Sequence, residues 1–173
     1  NITTTVDAIA EMTREKAVEL FDTHGVYSRD ELHSRQSICY ENYAKQIAIE
    51  ANVMVSMGRT SILPVAFSYS EMLSRSIASI HDADPELDTS THRSILERLL
   101  SAISSFEKEM GELERLIREN EKLEEGSHER AHFSRYRIFE QMRNVRQYGD
   151  TLEKIVPRDS WPFPTYEEML FRL

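Results

Sequence analysis

The chain has 173 residues, of which 29% are charged, and only five glycines and five prolines, a balance that suits long helices better than a sandwich or barrel. Its length allows one domain with a real core. The formal charge of −9 argues against a nucleic-acid partner, which is held by neutralising phosphates, and equally against an anionic membrane surface.

From the N-terminus, Thr3-Thr4-Thr5 is a capping-type run before a short apolar turn around Val6 and Ile9. Thr13 is placed to cap a helix carrying Ala17, Val18, Leu20 and Phe21, which stops at His24-Gly25, where glycine supplies a left-handed residue. Ser28 and Glu31 have the spacing of a capping box and open one very long helix, residues 28–81, bent once at Pro64. Leu32, Cys39, Tyr43, Ile47, Met54 and Met57 recur at helical steps on one face. Beyond Ile47 the apolar residues Ile49, Val53, Val55, Ile62, Leu63, Val65 and Phe67 fill further sides, which predicts a helix buried by neighbours on several sides. About fifty residues at ~1.5 Å rise span roughly 75 Å, so the other segments are expected to pack along this rod. Pro64 lacks an amide hydrogen and clashes with the carbonyl four residues back, placing the kink near Thr60 and Ser61. Cys39, alone and mid-helix, reads as a core residue; with no second cysteine there is no internal disulfide.

Residues 82–86 are polar and punctuated by Pro85, a loop. A helix then starts around Asp88 to Thr91 and continues to about Glu124, with Leu96, Leu99, Ile103, Phe106, Met110, Leu113 and Ile117 as a heptad-like seam. After Glu125-Gly126-Ser127 a further helix runs from His128 to about Val156, its seam being Ile138, Met142, Val145, Gly149, Leu152 and Val156. So short a connection makes the two helices antiparallel neighbours, and the acid-rich end of the first meets Arg130, Arg135 and Arg137 of the second. Phe133, Tyr136 and Phe139 lie off that seam and need covering. The tail, Trp161-Pro162-Phe163-Pro164, approaches in extended form a last short helix for which Thr165 and Glu168 have capping-box spacing, and it is expected to dock on a body. The expected fold is all-α: a single domain, 1–173, built as an antiparallel bundle of long helices around one kinked helix (about 29–81), with short N- and C-terminal helices. Its parts are an opening segment and short helix (1–27), the long kinked helix (28–81), the hairpin (89–156) and the docking tail (157–173).

His128-Glu129-Arg130-Ala131-His132 is a literal H-E-x-x-H, the spacing that in zinc hydrolases sets two imidazoles one turn apart on a helix with the Glu as general base. Its surroundings argue against that chemistry. His128 sits in a first helical turn, Arg130 places a cation beside the metal position, and Ile138 stands where the extended motif wants a third ligand. His128 and His132 are therefore metal candidates set against a solvated helix start, with Glu140 or Glu153 as third donors. His24, His33, His81 and His92 are scattered, and the paired carboxylates Glu124-Glu125 and Glu167-Glu168 read as solvated faces. No glycine-rich phosphate loop and no nucleophile elbow occurs. No residue is assigned a catalytic or cofactor-binding role. With no secretory apolar core and no apolar run near about 18 residues, neither a signal peptide nor a membrane span is expected.

The run Glu41-Asn42-Tyr43-x-Lys45-x-Ile47-x-Ile49-Glu50-Ala51, with Met54, Met57 and Ile62-Leu63-Pro64, resembles the C-terminal part of type III glutamine synthetases. So do Thr4-Thr5-Val6-Asp7-Ala8, Leu20-Phe21-x-x-His24-Gly25-Val26, Glu31-Leu32 and Ser34-Arg35 near the start. Towards the end, Met142, Val145-Arg146, Asp150-x-Leu152-Glu153, Val156, Trp161 to Tyr166 and Met169-Leu170-Phe171 agree as well. Residues from about Ile80 to Phe133 match only in being helical and charged. The resemblance implies a cytoplasmic ligase that joins ammonia to glutamate with ATP through a γ-glutamyl phosphate, using Mg or Mn. It also implies a catalytic domain preceding this region and a dodecamer of two stacked hexameric rings. Beginning at Asn1 rather than Met, the chain is expected to be the helical C-terminal piece, inactive alone, whose partners are its own catalytic domain and sister subunits. A free-standing helical interaction module is the alternative.

Overall fold

The computed structural model describes residues 2–164 and 166–171, and among them every regular element is helical. The fold is all-α. The chain divides into two compact units, Asn1–Val53 with Leu113–Met142, and Met54–Glu112 with Arg143–Leu173.

In the first unit, α1 (Thr5–Glu11) is a capped helix where the sequence suggested only an apolar turn. The Asp7 amide donates to Thr4 Oγ1 at 3.2 Å, and the Asp7 carboxylate accepts from the Thr4 amide at 3.2 Å and the Thr3 hydroxyl at 3.1 Å. α2 (Glu15–Thr23) starts one residue later than Thr13 would set. Met12 and Arg14 still donate back to Ile9 and Glu11 in the turn leaving α1, so Arg14 takes the cap position and Thr13 caps nothing. α2 ends in a Schellman motif: Val26 N–H reaches Phe21 O at 2.9 Å, Gly25 N–H reaches Asp22 O at 3.0 Å, and Gly25 has φ 62°.

The long helix begins with the expected box. In α3 (Arg29–Met57), Ser28 N–H and hydroxyl both donate to Glu31 Oε2 at 2.8 Å. Its buried stripe in this unit is Leu32, Tyr40, Ala44, Ile47 and Ala51, so two alanines and Tyr40 make the inward face while Cys39 and Tyr43 sit at its margin. α1 packs there: Val6, Ile9, Tyr40 and Ala131 form one buried cluster, and Gln36 Nε2 donates to Ile9 O at 2.9 Å, satisfying a carbonyl at the end of α1. The predicted burial on several sides is only partial: Val55 and Leu63 are buried, and Ile62 and Val65 half-buried. Ile49 is 65% exposed, Val53 50% and Phe67 53%.

In the second unit the long helix is interrupted by a π turn, Gly58–Ile62, leading into α4 (Leu63–Ala83) with Pro64 in its first turn. Leu63 N–H bonds to Gly58 O five residues back, and Thr60 Oγ1 holds Ser56 O at 2.7 Å, so the wider turn absorbs the ring and the missing donor of Pro64. α5 (Ser90–Asn120) opens where Asp88 accepts from the Ser90 amide at 2.8 Å, and its seam residues Leu99, Ile103, Phe106 and Met110 are buried as predicted. α7 (Phe139–Glu153) contributes Val145, Gly149 and Leu152, and Val156 just beyond it is buried too. α5 and α7 run antiparallel here, since Phe106 faces Gly149 while Glu97 and Arg98 share a groove with Lys154 and Ile155.

Phe106 decides how close the helices come. A Cβ on Gly58 would stand 2.4 Å from Met110 Sδ and 3.2 Å from Phe106 Cζ, whereas one on Gly149 would meet only Phe106 Cε2 at 3.6 Å. In the tail, Trp161 and Phe163 are half-buried and edge-on to each other at 6.4 Å, while Leu170 of α8 (Tyr166–Phe171) is 77% exposed. Thr165, the expected cap of α8, lies outside the described residues.

Two measurements follow from this packing. Gly58→Ala should destabilise the chain by about 1–3 kcal/mol through overpacking, whereas Gly149→Ala should be neutral or stabilising by up to about 1 kcal/mol, read from urea unfolding. Three carboxylates that cap helix starts titrate below the ordinary carboxylate range: Asp7 held by the Thr4 hydroxyl, Glu31 by the Ser28 amide, and Asp88 by the Ser90 amide. A depressed folded value means that their contribution is complete above about pH 4 and is lost as pH falls through the folded values, so the thermal midpoint should drop below that pH. Thr4→Ala should shrink that acid dependence.

Candidate functional site

The H-E-x-x-H segment begins α6 (His128–Phe133), and its first turn is pinned rather than frayed. Gly126 has φ 69°, and a Cβ there would lie 2.3 Å from Ser37 Oγ and 3.2 Å from Ser37 O, so glycine both sets the turn and lets it touch α3. Ser37 Oγ donates to Gly126 O at 3.2 Å. Ser127 caps the helix, its Oγ accepting from Arg130 N–H at 3.2 Å and donating to Glu124 O at 2.7 Å.

The two histidines face the same way. Tyr40 meets His128 edge-on at 5.5 Å, His128 and His132 are 5.7 Å apart, and His132 lies 4.5 Å from Tyr136, giving a row of four rings. Tyr40 is buried, and burial is the main cause that lifts its hydroxyl above the ordinary tyrosine value, with the Asp7 carboxylate adding to it; Tyr43 beside it is raised by burial as well. His128, His132 and Tyr136 are exposed. Arg130, expected beside the metal position, turns away: its Nη1 lies 3.4 Å from Leu123 O and 3.5 Å from Glu125 Oε1. Arg135 pairs with Glu140 at 3.1 Å and lies over the rings of Tyr136 and Phe139 at 5.4 and 4.9 Å, while Arg137 covers Phe133 at 5.6 Å. Each of the three off-seam rings thus has an arginine from the same segment lying over it, and Tyr136 remains exposed.

Two corrections to the hairpin arise here. α5 stops at Asn120 rather than Glu124, and the connection runs over residues 121–127. Asn120 is 1% exposed because its side chain leaves the helix pattern to donate to Arg130 O at 3.0 Å and Ser134 Oγ at 3.1 Å. The following helix is not one piece to Val156: Ser134–Ile138 is a second π turn before α7, and α7 ends at Glu153. The buried Ser134 hydroxyl bonds back to Arg130 O at 2.9 Å inside that widened stretch. No proline announces it.

Among the described residues, no group of three or more His, Cys, Asp or Glu side chains converges on a point that could hold a metal ion. Glu140 is engaged with Arg135, so it does not complete a hydrolase ligand set with His128 and His132. The second unit carries an open groove of about 480 Å³ lined by Glu97, Arg98, Ser101, Tyr148, Thr151 and Lys154 among others. Tyr40, Ser37 and Asn120 were missed as site-building residues. Tyr40 was legible through its spacing to Ala44, Ile47 and Ala51, but small residues hid that stripe.

Among the described residues the chain is thus an all-α protein of long helices. Residues 1–81 match the family model described as glutamine synthetase C-terminal domain. The chain is 31% identical over 175 residues to a type-3 glutamine synthetase of Dictyostelium discoideum, covering 99% of this chain and 24% of that protein. It is 29% identical to a glutamine synthetase of Butyrivibrio fibrisolvens, covering 100% of this chain and 25% of that protein, and 21% identical to one of Bacteroides fragilis, covering 99% and 24%. The glutamine synthetase C-terminal domain match thus falls on residues 1–81, the similarity to type-3 glutamine synthetase runs over the whole chain, and the chain spans about a quarter of the length of the curated relatives it matches. No solved structure matches it. Among the described residues no helix is long and apolar enough to cross a membrane.

The platform under the ring row is tested through Asn120. Asn120→Ala removes the amide that donates to the buried Ser134 hydroxyl and to the Arg130 carbonyl, which keeps the Ser134 hydroxyl as a donor. It should lower the free energy of unfolding by about 1–3 kcal/mol in urea.

Proposed function

We propose that this chain is the helical C-terminal region of a type III glutamine synthetase and that its role is to brace subunit contacts rather than to carry the chemistry. The parent would ligate ammonia to glutamate with ATP and a divalent cation, Mg or Mn, in the cytoplasm, at a catalytic domain outside this chain. Phosphoryl transfer of that kind needs acidic metal ligands and cations clamped on the phosphates. The described residues offer no convergent set of that sort, so no step of the reaction is assigned to them.

The observation that carries the bracing role is the apolar surface left on α3. Ile38, Ile49 and Val53 are 51%, 65% and 50% exposed. They stand eleven and four residues apart, which is three turns and one turn of an α-helix, so they line one face. A monomeric protein rarely leaves such a row in water. The partners that suit it are the parent's own catalytic domain and its sister subunits.

In the full-length parent enzyme, the double substitution Ile49→Asp with Val53→Asp should leave the protomer helical by circular dichroism and shift the assembly to smaller species by light scattering. Glutamine formation should fall together with the assembly. An unchanged assembly carrying these two charges removes the bracing role, and an active parent truncated before this region removes it as well.

A further inference from the structure

We infer that His128 and His132 form a two-imidazole chelating site for a late first-row divalent cation, Cu²⁺ above all, on the surface of α6. Among the described residues the H-E-x-x-H motif has no third protein donor converging on it, but two imidazoles one helical turn apart are enough to chelate a cation whose other positions are filled by water. The order of affinity for nitrogen ligands puts Cu²⁺ ahead of Ni²⁺ and Zn²⁺.

Three features make this pair more than a coincidence of spacing. The rings already lie side by side, with centroids 5.7 Å apart, and both side chains are exposed. Two imidazoles sharing a cation at ~2.0–2.1 Å from each nitrogen have centroids roughly 4.5–5 Å apart, so a small rotation of exposed side chains closes the site. Next, the turn that carries them is fixed. Gly126 against Ser37, the Ser127 cap and the edge-on contact of Tyr40 with His128 leave the first turn of α6 little freedom to fray, which lowers the ordering cost of chelation. Finally, the local charge permits it. Arg130, the cation nearest in sequence, is directed to Leu123 O and Glu125, and Arg135 is directed to Glu140. Glu129 lies between the two ligands in sequence and adds a negative charge to the same turn.

The test is a titration of the full chain with Cu²⁺ alone in a non-coordinating buffer, followed by calorimetry and by electron paramagnetic resonance. One equivalent is expected to bind with micromolar affinity, with hyperfine splitting from two imidazole nitrogens in the unsubstituted chain. His128→Asn and His132→Asn should each weaken binding at least about tenfold and remove one nitrogen from the spectrum, since each removes half the chelate. His33→Asn, on α3, should bind as the unsubstituted chain does. Equal binding by all four chains overturns the site, as does a spectrum of the unsubstituted chain with fewer than two nitrogens, which needs no variant to read.

Discussion

The close approach of Phe106 and Met110 to Gly58 is the constraint on which the second unit depends. Both side chains are essentially fully buried, and the glycine leaves no room for even a methyl group. Interiors at crystal-like density transmit such contacts, so the position of the π turn and the depth of α5 are fixed together. The π turn also solves a local problem. Pro64 forbids one regular hydrogen bond, and a bond spanning five residues from Leu63 to Gly58 lets the chain pass the proline without leaving a buried amide unpaired. One glycine therefore serves two ends, as acceptor in the widened turn and as the flat surface on which Phe106 rests.

The first unit uses polar groups for the same purpose. Its core is small, with α1 resting on α3 and α6 through Val6, Ile9, Tyr40 and Ala131. Around it, side chains add bonds to backbone carbonyls near helix ends and turns: Gln36 at the end of α1, Ser37 on the turn before α6, Asn120 on Arg130 O. Each of these bonds joins segments distant in the chain or across a turn. A hydrogen bond of this kind adds little net stability, but a buried group left without its partner is expensive, which makes such contacts specify register.

The local features of the fold were legible in the sequence, because their causes are local. Ser28 and Glu31 cap α3, Gly25 closes α2, Pro64 marks the interruption, and the seam from Leu99 to Ile117 is buried as its spacing predicts. What escaped depends on partners. The second π turn has no proline, and its Ser134 is recognisable only once Asn120 is seen against it. The end of α5 at Asn120 has the same origin, since an asparagine in a charged helix looks like any other polar residue until its amide finds a carbonyl on the next helix. On α3, apolar residues on several sides were read as burial on several sides. Periodicity reports which faces are apolar, not whether this chain or another one covers them, and Ile49 and Val53 are the case in point.

The H-E-x-x-H segment shows how structure and motif part company. On sequence alone, a first-turn position and a neighbouring arginine counted against a metal. The structure removes both objections, by pinning the turn through Gly126 and Ser37 and by sending Arg130 to the loop carbonyl of Leu123. It leaves the third objection, Ile138 in the place of a third ligand, standing, since among the described residues no third donor converges on the pair. Hydrolysis at zinc requires three protein ligands to fix the coordination geometry and leave one position for water, whereas chelation requires two. The same pair of rings is therefore poor as a catalytic centre and adequate as a binding site. That difference follows from ligand count alone.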